Sequence, residues 1–534
     1  MTSLASRPVS LETPARVSHP PERGALQALA IAGIIVLAAL IRVWGLRSQS
    51  LTMDEIADIA SASQSLGGVL HVRDGFPPLY GLLVHGWLAA FPGEANVRWL
   101  SVLLGVLSVP AMWRLGAWAG GERVGQLAAL ALAISPFHRW ISQEARAYVL
   151  YVLLAIVALW LFFRAMSTNA WRDWALYALT SVAGVYSHYF FGLLPLVAGL
   201  LLLFERRTWA ECAPGVWANV ALAAACVPAI GLLREDMAYQ ASYLLDAPFT
   251  VVTAGYAYFS MIVGFAIGPS LRELHSLPSS AGVRAMLPWA LAVGGATLIL
   301  LYAAVTASDA RRAVTRLTVF AIAPIGIGGA LAAVVGVGFR VRYFAWVAIP
   351  MIVLISIGLA TARFRIARLV AAATLLAVCA ISTDNRVRVA RYWNEDVQGL
   401  RDYLRSASAP SVPVFVTAKY MAVPVQHYLG AGWTVCALPD ADEEGRGSDG
   451  ALRVVKTVTP PDSGFWLVYS RPFHSDPQGR LPRDLASSGP LRARHEFAGI
   501  TLYGGTVRRS AHVMPPLTCR DPNPAGNGRR DSGS

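Results

Sequence analysis

The chain has 534 residues, of which 55% are hydrophobic and only 14% charged, and it carries a net charge of +13. A soluble domain holds about 25% charged residues, so this composition excludes an ordinary soluble protein and fits a polytopic membrane protein. The cations are nearly all Arg, with Lys only at Lys419 and Lys456, and they sit in short connections between apolar runs. The positive-inside rule therefore explains much of the basic excess, and no nucleic-acid motif accompanies it.

Met1 to Arg23 is polar and Pro-containing, and reads as a disordered cytoplasmic tail ahead of an uncleaved first span. Eleven apolar runs follow that are read as spans: Gly24–Trp44, Val97–Ala117, Val124–Phe137, Tyr148–Phe163, Trp174–Tyr186, Phe190–Phe204, Val216–Leu233, Ala285–Val305, Leu317–Val337, Tyr343–Ala360 and Ile366–Ile381. Several are shorter than the usual ~20 residues. With the N-terminus in the cytoplasm, the Arg-dense connections around Arg206-Arg207, Arg311-Arg312 and Arg363/Arg365 all fall on the cytoplasmic side. This count requires Pro77–Phe91 and Thr250–Gly268 to lie at the interface or re-enter.

After Ser382 the composition changes. A helix is expected over Arg391–Leu404, strands at Val412–Val416, Thr434–Leu438, Phe465–Tyr469 and Ile500–Tyr503, and a second helix over Tyr420–Leu429. The expected class is mainly α: a polytopic helical membrane protein with about 11 spans, interfacial helices in its outer loops and a small C-terminal α/β non-cytoplasmic domain. The expected divisions are residues 1–23, 24–383, 384–514 and a disordered tail at 515–534. Five Cys show no metal spacing; Cys436 and Cys519 are the two in the tail, and their pairing is left open.

Under this orientation, ionisable residues gather at span mouths on the non-cytoplasmic side: Asp54, Glu55, Asp74, His138, Glu144, Arg146, His188, Arg340 and Arg342. Charge at a membrane edge is costly, so a cluster there points to function. Asp54-Glu55 follows directly on the first span; the alternatives for it are a helix-capping acid pair, a proton acceptor and a metal-binding pair. Glu144 and Arg146 form either a local ion pair or a second acid with a phosphate clamp. His188 is either a satisfied structural group or a donor to a phosphate oxygen. Arg340 and Arg342 run against the positive-inside bias and are candidates to bind an anion.

As an ordered set these motifs resemble a family. The resemblance rests on Leu51-x-x-Asp54-Glu55, Pro77-Pro78-Leu79-Tyr80, Ser135-Pro136-Phe137-His138, Ser142-Gln143-Glu144-Ala145-Arg146-x-Tyr148, His188-Tyr189-Phe190, Arg342-Tyr343-Phe344 and Glu395-Asp396. They run from about Ala25 to Tyr428 and resemble the polytopic GT-C glycosyltransferases, specifically the family 39, protein-mannosyltransferase-like and aminoarabinose-transferase-like group of bacteria. That resemblance implies a polyprenyl-phosphate sugar donor, an envelope lipid, glycan or protein as acceptor, and a multi-pass protein of the bacterial inner membrane. It implies Asp54 as general base, with Glu55 beside it and Glu144 as a further catalytic acid. Arg146, His188, Arg340 and Arg342 are then donor-phosphate ligands, and Phe76, Pro77, Tyr80, His138, Tyr148, Tyr189 and Tyr343 line the substrate pocket.

Asp54 and Glu144 are also candidate ligands for a divalent metal, Mg or Mn. The family often has His before the Pro-Pro pair and an aromatic before the Asp-Glu pair; here Phe76 and Met53 stand there, which puts metal binding in doubt. Two other readings compete: a lipid or lipid-linked-sugar transporter or flippase, and an inactive relative that binds lipid-linked sugar. No internal repeat supports the transporter, and no GxGxxG or Walker pattern supports a nucleotide.

Overall fold

The computed structural model describes residues 21–71, 75–206, 208–240, 249–335, 338–361, 363–439, 447–460, 462–507 and 519. The tails expected to be disordered lie outside these residues, apart from Pro21–Arg23, which begin the first helix, and Cys519; Asp74 also lies outside them.

The membrane part opens with α1 (Pro21–Val43), then three short helices of the first long loop: α2 (Met53–Ala62), α3 (Leu66–His71) and α4 (Leu79–Ala90). Next come α5 (Val97–Gly120), α6 (Glu122–Ile134), α7 (Pro136–Gln143), α8 (Tyr148–Thr168), α9 (Trp171–Val185) and α10 (Leu193–Glu205). The remainder is α11 (Trp209–Ala225), α12 (Val227–Gln240), α13 (Val251–Val263), α14 (Leu271–Ser276), α15 (Ser279–Val305), α16 (Arg311–Val335), α17 (Ala348–Ala360) and α18 (Arg365–Arg388). A 3-10 turn over Val341–Val347 leads into α17.

Seven of these are long and apolar enough to cross a membrane, and eight if the 45° bent pair α11–α12 counts as one. Three of the eleven runs read as spans are shorter helices: α6 has 13 residues, α9 has 15 and α10 has 13. The apolar runs at 77–91 and 250–268 hold helices of 12 and 13 residues, about 18–20 Å at 1.5 Å per residue and short of a ~30 Å hydrocarbon core.

Local sequence explains where the short helices begin. Thr52 and Glu55 form a capping box at the start of α2: the Thr52 hydroxyl accepts from the Glu55 amide, and the Glu55 carboxylate accepts from the Thr52 amide. Ser135 caps α7, with Pro136 in the first position where its missing N–H costs nothing.

The end of α1 is knitted to α6 and α7 by two buried arginines. Arg42 donates to the carbonyls of Ala38 at 3.0 Å, Ala133 at 3.0 Å and Leu132 at 3.2 Å, so its charge sits at the carbonyl end of α6. Arg139 donates to the carbonyls of Ile41 at 2.9 Å and Trp44 at 2.6 Å.

The C-terminal part is a five-stranded sheet with helices. Its strands are β1 (Val414–Val416), β2 (Val435–Ala437), β3 (Gly464–Ser470), β4 (Leu491–Phe497) and β5 (Ile500–Thr506), in the order β2-β1-β3-β5-β4. β1 pairs in parallel with β2 and β3, and the rest pair antiparallel. Helix α19 (Val397–Ala407) starts six residues later than expected, because Asp396 caps it by accepting from the Gly399 amide. Helix α20 (Ala422–Leu429) joins β1 to β2, and α21 (Gly447–Val458) precedes β3. Strand β4 went unread because Leu-Arg-Ala-Arg-His-Glu-Phe lacks the apolar run that marked the others. Its hairpin turns at Gly499, whose φ of +70° favours glycine. Cys436 and Cys519 form a disulfide.

Candidate active site

Asp54 and Glu55 are neighbours with different fates. Glu55 is fully buried. Its carboxylate takes two bonds from Arg98, each 2.8 Å, one from the Ala145 amide at 3.0 Å and one from the Thr52 amide at 2.9 Å. Arg98 spends its remaining N–H groups on the carbonyls of Leu46 at 3.1 Å, Gln49 at 2.9 Å and Ser50 at 3.1 Å. All five guanidinium donors are thereby used. Burial pushes the Glu55 carboxyl up, but Arg98 and the two amides outweigh it and hold it below the usual carboxylate range. Glu55 is thus enclosed, its carboxylate occupied by Arg98 and by the amides of Thr52 and Ala145.

Asp54 sits in the first turn of α2 with its side chain 43% accessible. One of its carboxylate oxygens lies 3.4 Å from Arg342 Nη1 and 4.0 Å from Arg146 Nη2. Asp58 follows one helical turn later and meets Arg146 Nη1 at 2.7 Å; the i, i+4 spacing puts both acids on one face. Burial raises the Asp54 carboxyl, and Arg146, Arg342, Arg340 and Arg471 together bring it below its ordinary value.

Glu144 stands at the end of α7, only 9% exposed, and among the described residues its carboxyl meets no hydrogen-bond donor. Burial, then the negative charge of Glu55, pushes it up to about 7; Arg342 and Arg386 work against the rise.

An aromatic wall stands beside the acids. Phe76, Tyr148 and Tyr343 surround His188 with ring centroids at 5.3, 5.6 and 5.5 Å. Arg146 lies over Phe76 at 4.5 Å and Arg342 over Tyr148 at 5.7 Å, so the rings hold both guanidiniums on their π faces. His188 Nδ1 accepts from the Phe190 amide at 3.2 Å, which leaves Nε2 as the protonated nitrogen; among the described residues Nε2 is buried without a partner. Burial and the charges of Arg146 and Arg342 lower its pKa to about 3, so it acts as a neutral N–H donor.

The structure thus gathers Asp54, Glu144, Arg146, His188, Arg342, Phe76, Tyr148 and Tyr343. Arg340 is half-buried and near enough for its charge to act on Asp54. Phe76, Pro77 and Tyr80 line a cleft with Asp58 and Ala147, and the Tyr80 hydroxyl bonds Ser101 at 3.0 Å. Tyr189 reaches Asp236 at 2.5 Å. His138 is not brought to this group. It is 2% exposed in the seam between α1 and α7, with Nδ1 2.7 Å from Arg42, where Arg139 of α7 bonds the carbonyls of Ile41 and Trp44. Sequence reading missed Arg98, Asp58 and Arg42. Asp58 had a signal in its i+4 spacing from Asp54; Arg98 had only its place at the mouth of α5.

The donor set does not fit a metal. Among the described residues no group of three or more His, Cys, Asp or Glu side chains could hold an ion. Of the two residues read as ligands, Asp54 faces two guanidiniums and Glu144 lies under the charges of Arg342 and Arg386, so a cation would enter a site already positive.

Residues 77–231 match the family model described as dolichyl-phosphate-mannose-protein mannosyltransferase. Among solved structures, apo ArnT from Cupriavidus metallidurans aligns with a TM-score of 0.56 and 12% identity, over 91% of this chain and 98% of that one. The same protein bound to undecaprenyl phosphate aligns with a TM-score of 0.52 and 14% identity, over 92% and 99%. The chain has a GT-C fold. Archaeal oligosaccharyltransferase AglB from Archaeoglobus fulgidus aligns with a TM-score of 0.49 and 11% identity, over 90% of this chain and 74% of that one. No curated protein matches the sequence. The family model spans Arg98, Glu144, Arg146 and His188 and leaves Asp54, Glu55 and Arg342 outside it.

Two predictions test the site's electrostatics. Arg98→Met leaves Glu55 buried and unpaired, which costs about 3–5 kcal/mol. Thermal unfolding in detergent reads it, with Arg388→Ala as control, because Arg388 pairs with Asp384 on the surface. Equal effects of the two substitutions would rule the buried pair out as a main support. The second concerns Glu144, whose folded value near 7 exceeds the ordinary 4.5. The stability it contributes is complete below pH 4.5 and is lost as pH rises through about 7. Glu144→Gln is expected to raise the unfolding temperature at pH 8 and to have little effect at pH 5; a gap independent of pH contradicts this.

Proposed function

We propose that the chain is a membrane glycosyltransferase that moves a sugar from a polyprenyl-phosphate donor to a cell-envelope acceptor, lipid, glycan or protein, at the non-cytoplasmic face. The observation that carries this reading is the Asp54 carboxylate facing Arg146 and Arg342 beside a neutral His188. The GT-C fold shared with ArnT, which has been captured with undecaprenyl phosphate, supports the donor class. The Cys436–Cys519 disulfide supports an oxidising compartment for the C-terminal part, and with it the sidedness.

The reaction needs a base for the nucleophile and cations for the leaving phosphate. The acceptor's hydroxyl or amine attacks the anomeric carbon on the face opposite the phosphate and passes its proton to Asp54. The bond from the anomeric carbon to the phosphate oxygen breaks, and its electron pair stays on that oxygen. Arg146 and Arg342 take up the charge, with His188 Nε2–H as a further donor. A single displacement inverts the anomeric centre.

Before the donor arrives, both guanidiniums face Asp54 and keep its carboxyl a weak base. The donor's phosphate offers them a second anion. Sharing the two arginines raises the basicity of Asp54 when a base is required, which couples donor binding to activation.

Asp54→Asn is expected to lower transfer at least about 100-fold with folding intact, in the range for loss of a general base. Label transfer from polyprenyl-phosphate sugars in membranes reads it, and equal transfer by variant and wild type removes Asp54 as the base. Arg342→Gln is expected to raise the donor KM at least about tenfold and to weaken competition by free polyprenyl phosphate equally. An unchanged inhibition constant argues against Arg342 as a phosphate ligand.

A further inference from the structure

Between α9 and α11 the membrane part holds a groove of about 450 Å³ in which every lining side chain is apolar. None of its lining residues belongs to the cluster around Asp54. The two helices lie side by side and run the same way. Near their starts the Trp174 ring rests on the α11 backbone at Gly215, where an added Cβ would stand 2.8 Å from it; at their ends the Tyr186 hydroxyl donates to the Ala225 carbonyl at 3.1 Å. Trp174 is fixed there, since its Nε1 donates to Asn169 Oδ1 at 3.2 Å.

The groove follows from spacing. Trp171, Ala175, Ala178 and Val182 of α9 and Ala218 and Ala221 of α11 recur every three or four residues, so each helix turns one apolar stripe toward it. The alanines leave room that larger side chains would fill. From Trp171 to Val182 the stripe runs about 16 Å at 1.5 Å per residue. That is roughly half of a ~30 Å hydrocarbon core, the depth of one leaflet.

The mouth of the groove is aromatic and basic. Trp171 and Trp209, the first residues of α9 and α11, are largely exposed, and indole rings gather at the membrane–water boundary. Arg164 pairs with Asp173 at 3.0 Å and Arg316 pairs with Glu205. Arg206 donates to the Met166 carbonyl, and Glu211 stands in the first turn of α11. Arg172 is exposed and lies two helical turns before Leu179, which lines the groove, so both are on one face. Among the described residues, Arg172 and Arg206 against Glu211 leave this mouth positive.

We infer that the groove holds one acyl chain of an anionic phospholipid, whose phosphate sits at Arg172. An apolar concavity on a membrane protein is covered by lipid chains, and a guanidinium beside it suits a phosphate. Unneutralised cations at such a mouth favour anionic head groups over zwitterionic ones. The donor of the proposed transfer is a different molecule: its phosphate meets His188, beyond the other end of α9, about 22 Å away along a helix of 15 residues.

The test titrates the full chain in detergent with dioleoyl phosphatidylglycerol and with dioleoyl phosphatidylcholine, and counts retained lipid by native mass spectrometry. One phosphatidylglycerol is expected to stay on each chain at about fivefold lower concentration than phosphatidylcholine requires. Arg172→Gln is expected to abolish that preference and Arg172→Lys to keep it. Ala218→Phe fills the groove and is expected to weaken both lipids at least about tenfold. Equal retention of the two lipids by wild type overturns the inference, and so does a preference that survives Arg172→Gln. Undecaprenyl phosphate that displaces phosphatidylglycerol at lower concentration makes the groove a seat for an isoprenoid chain and overturns it too. Arg172 is exposed, so its substitution decides the question even where Ala218→Phe fails to fold. None of these readouts depends on sugar transfer, so failure of the transferase reading is told apart from failure of the groove.

Discussion

The Glu55–Arg98 pair is the interaction on which the site depends. Both side chains are buried, 0% and 9% accessible, and withdrawing two such charges from water costs several kcal/mol per ion. The cost is offset only because every polar atom finds a partner. Arg98 spends its donors on Glu55 and on three carbonyls of the 46–50 loop, and Glu55 spends its oxygens on Arg98, Thr52 and Ala145. One pair thus fixes the loop after α1, the start of α2, the mouth of α5 and the segment that carries Glu144 and Arg146.

That anchoring frees Asp54. Consecutive residues on a helix point about 100° apart, so when Glu55 faces inward to Arg98, Asp54 turns toward Arg146 and Arg342. The result is a carboxylate between two guanidiniums that are themselves seated on Phe76 and Tyr148. On the proposed reading, charges of both signs stay where a sugar phosphate and a nucleophile would need them, and Glu144 lies nearby with its carboxyl pushed up to about 7.

The C-terminal part is tied to the same loop. The Leu51 amide donates to the Tyr428 hydroxyl at 2.8 Å, the Gln398 amide to Ser50 Oγ at 3.0 Å, and the Asn394 amide to Gln49 Oε1 at 3.1 Å. A surface contact adds His427 against Glu94 at 2.9 Å. These bonds reach across 300 residues to hold the loop that aims Asp54. The sheet domain is therefore part of the site's scaffold, and it brings Arg471 within electrostatic reach of the acid.

The sequence by itself determined the membrane class and the small C-terminal sheet, and it singled out a set of polar residues at helix mouths. These follow from composition, periodicity and capping, which act over a few residues: Thr52-x-x-Glu55 is a capping box whatever surrounds it. It also marked Asp54, Arg146 and Arg342 as residues needing a reason. Only tertiary structure decided which charge meets which. Glu55 reaches Arg98 across 43 positions and Asp54 reaches Arg342 across 288, and such pairings depend on how helices pack. The same packing sent His138 to Arg42 in the α1–α7 seam, away from the pocket its motif suggested. Spacing along the chain carries no information about partners that far apart, so the division of labour between Asp54 and Glu55 appears only once the fold has closed around them.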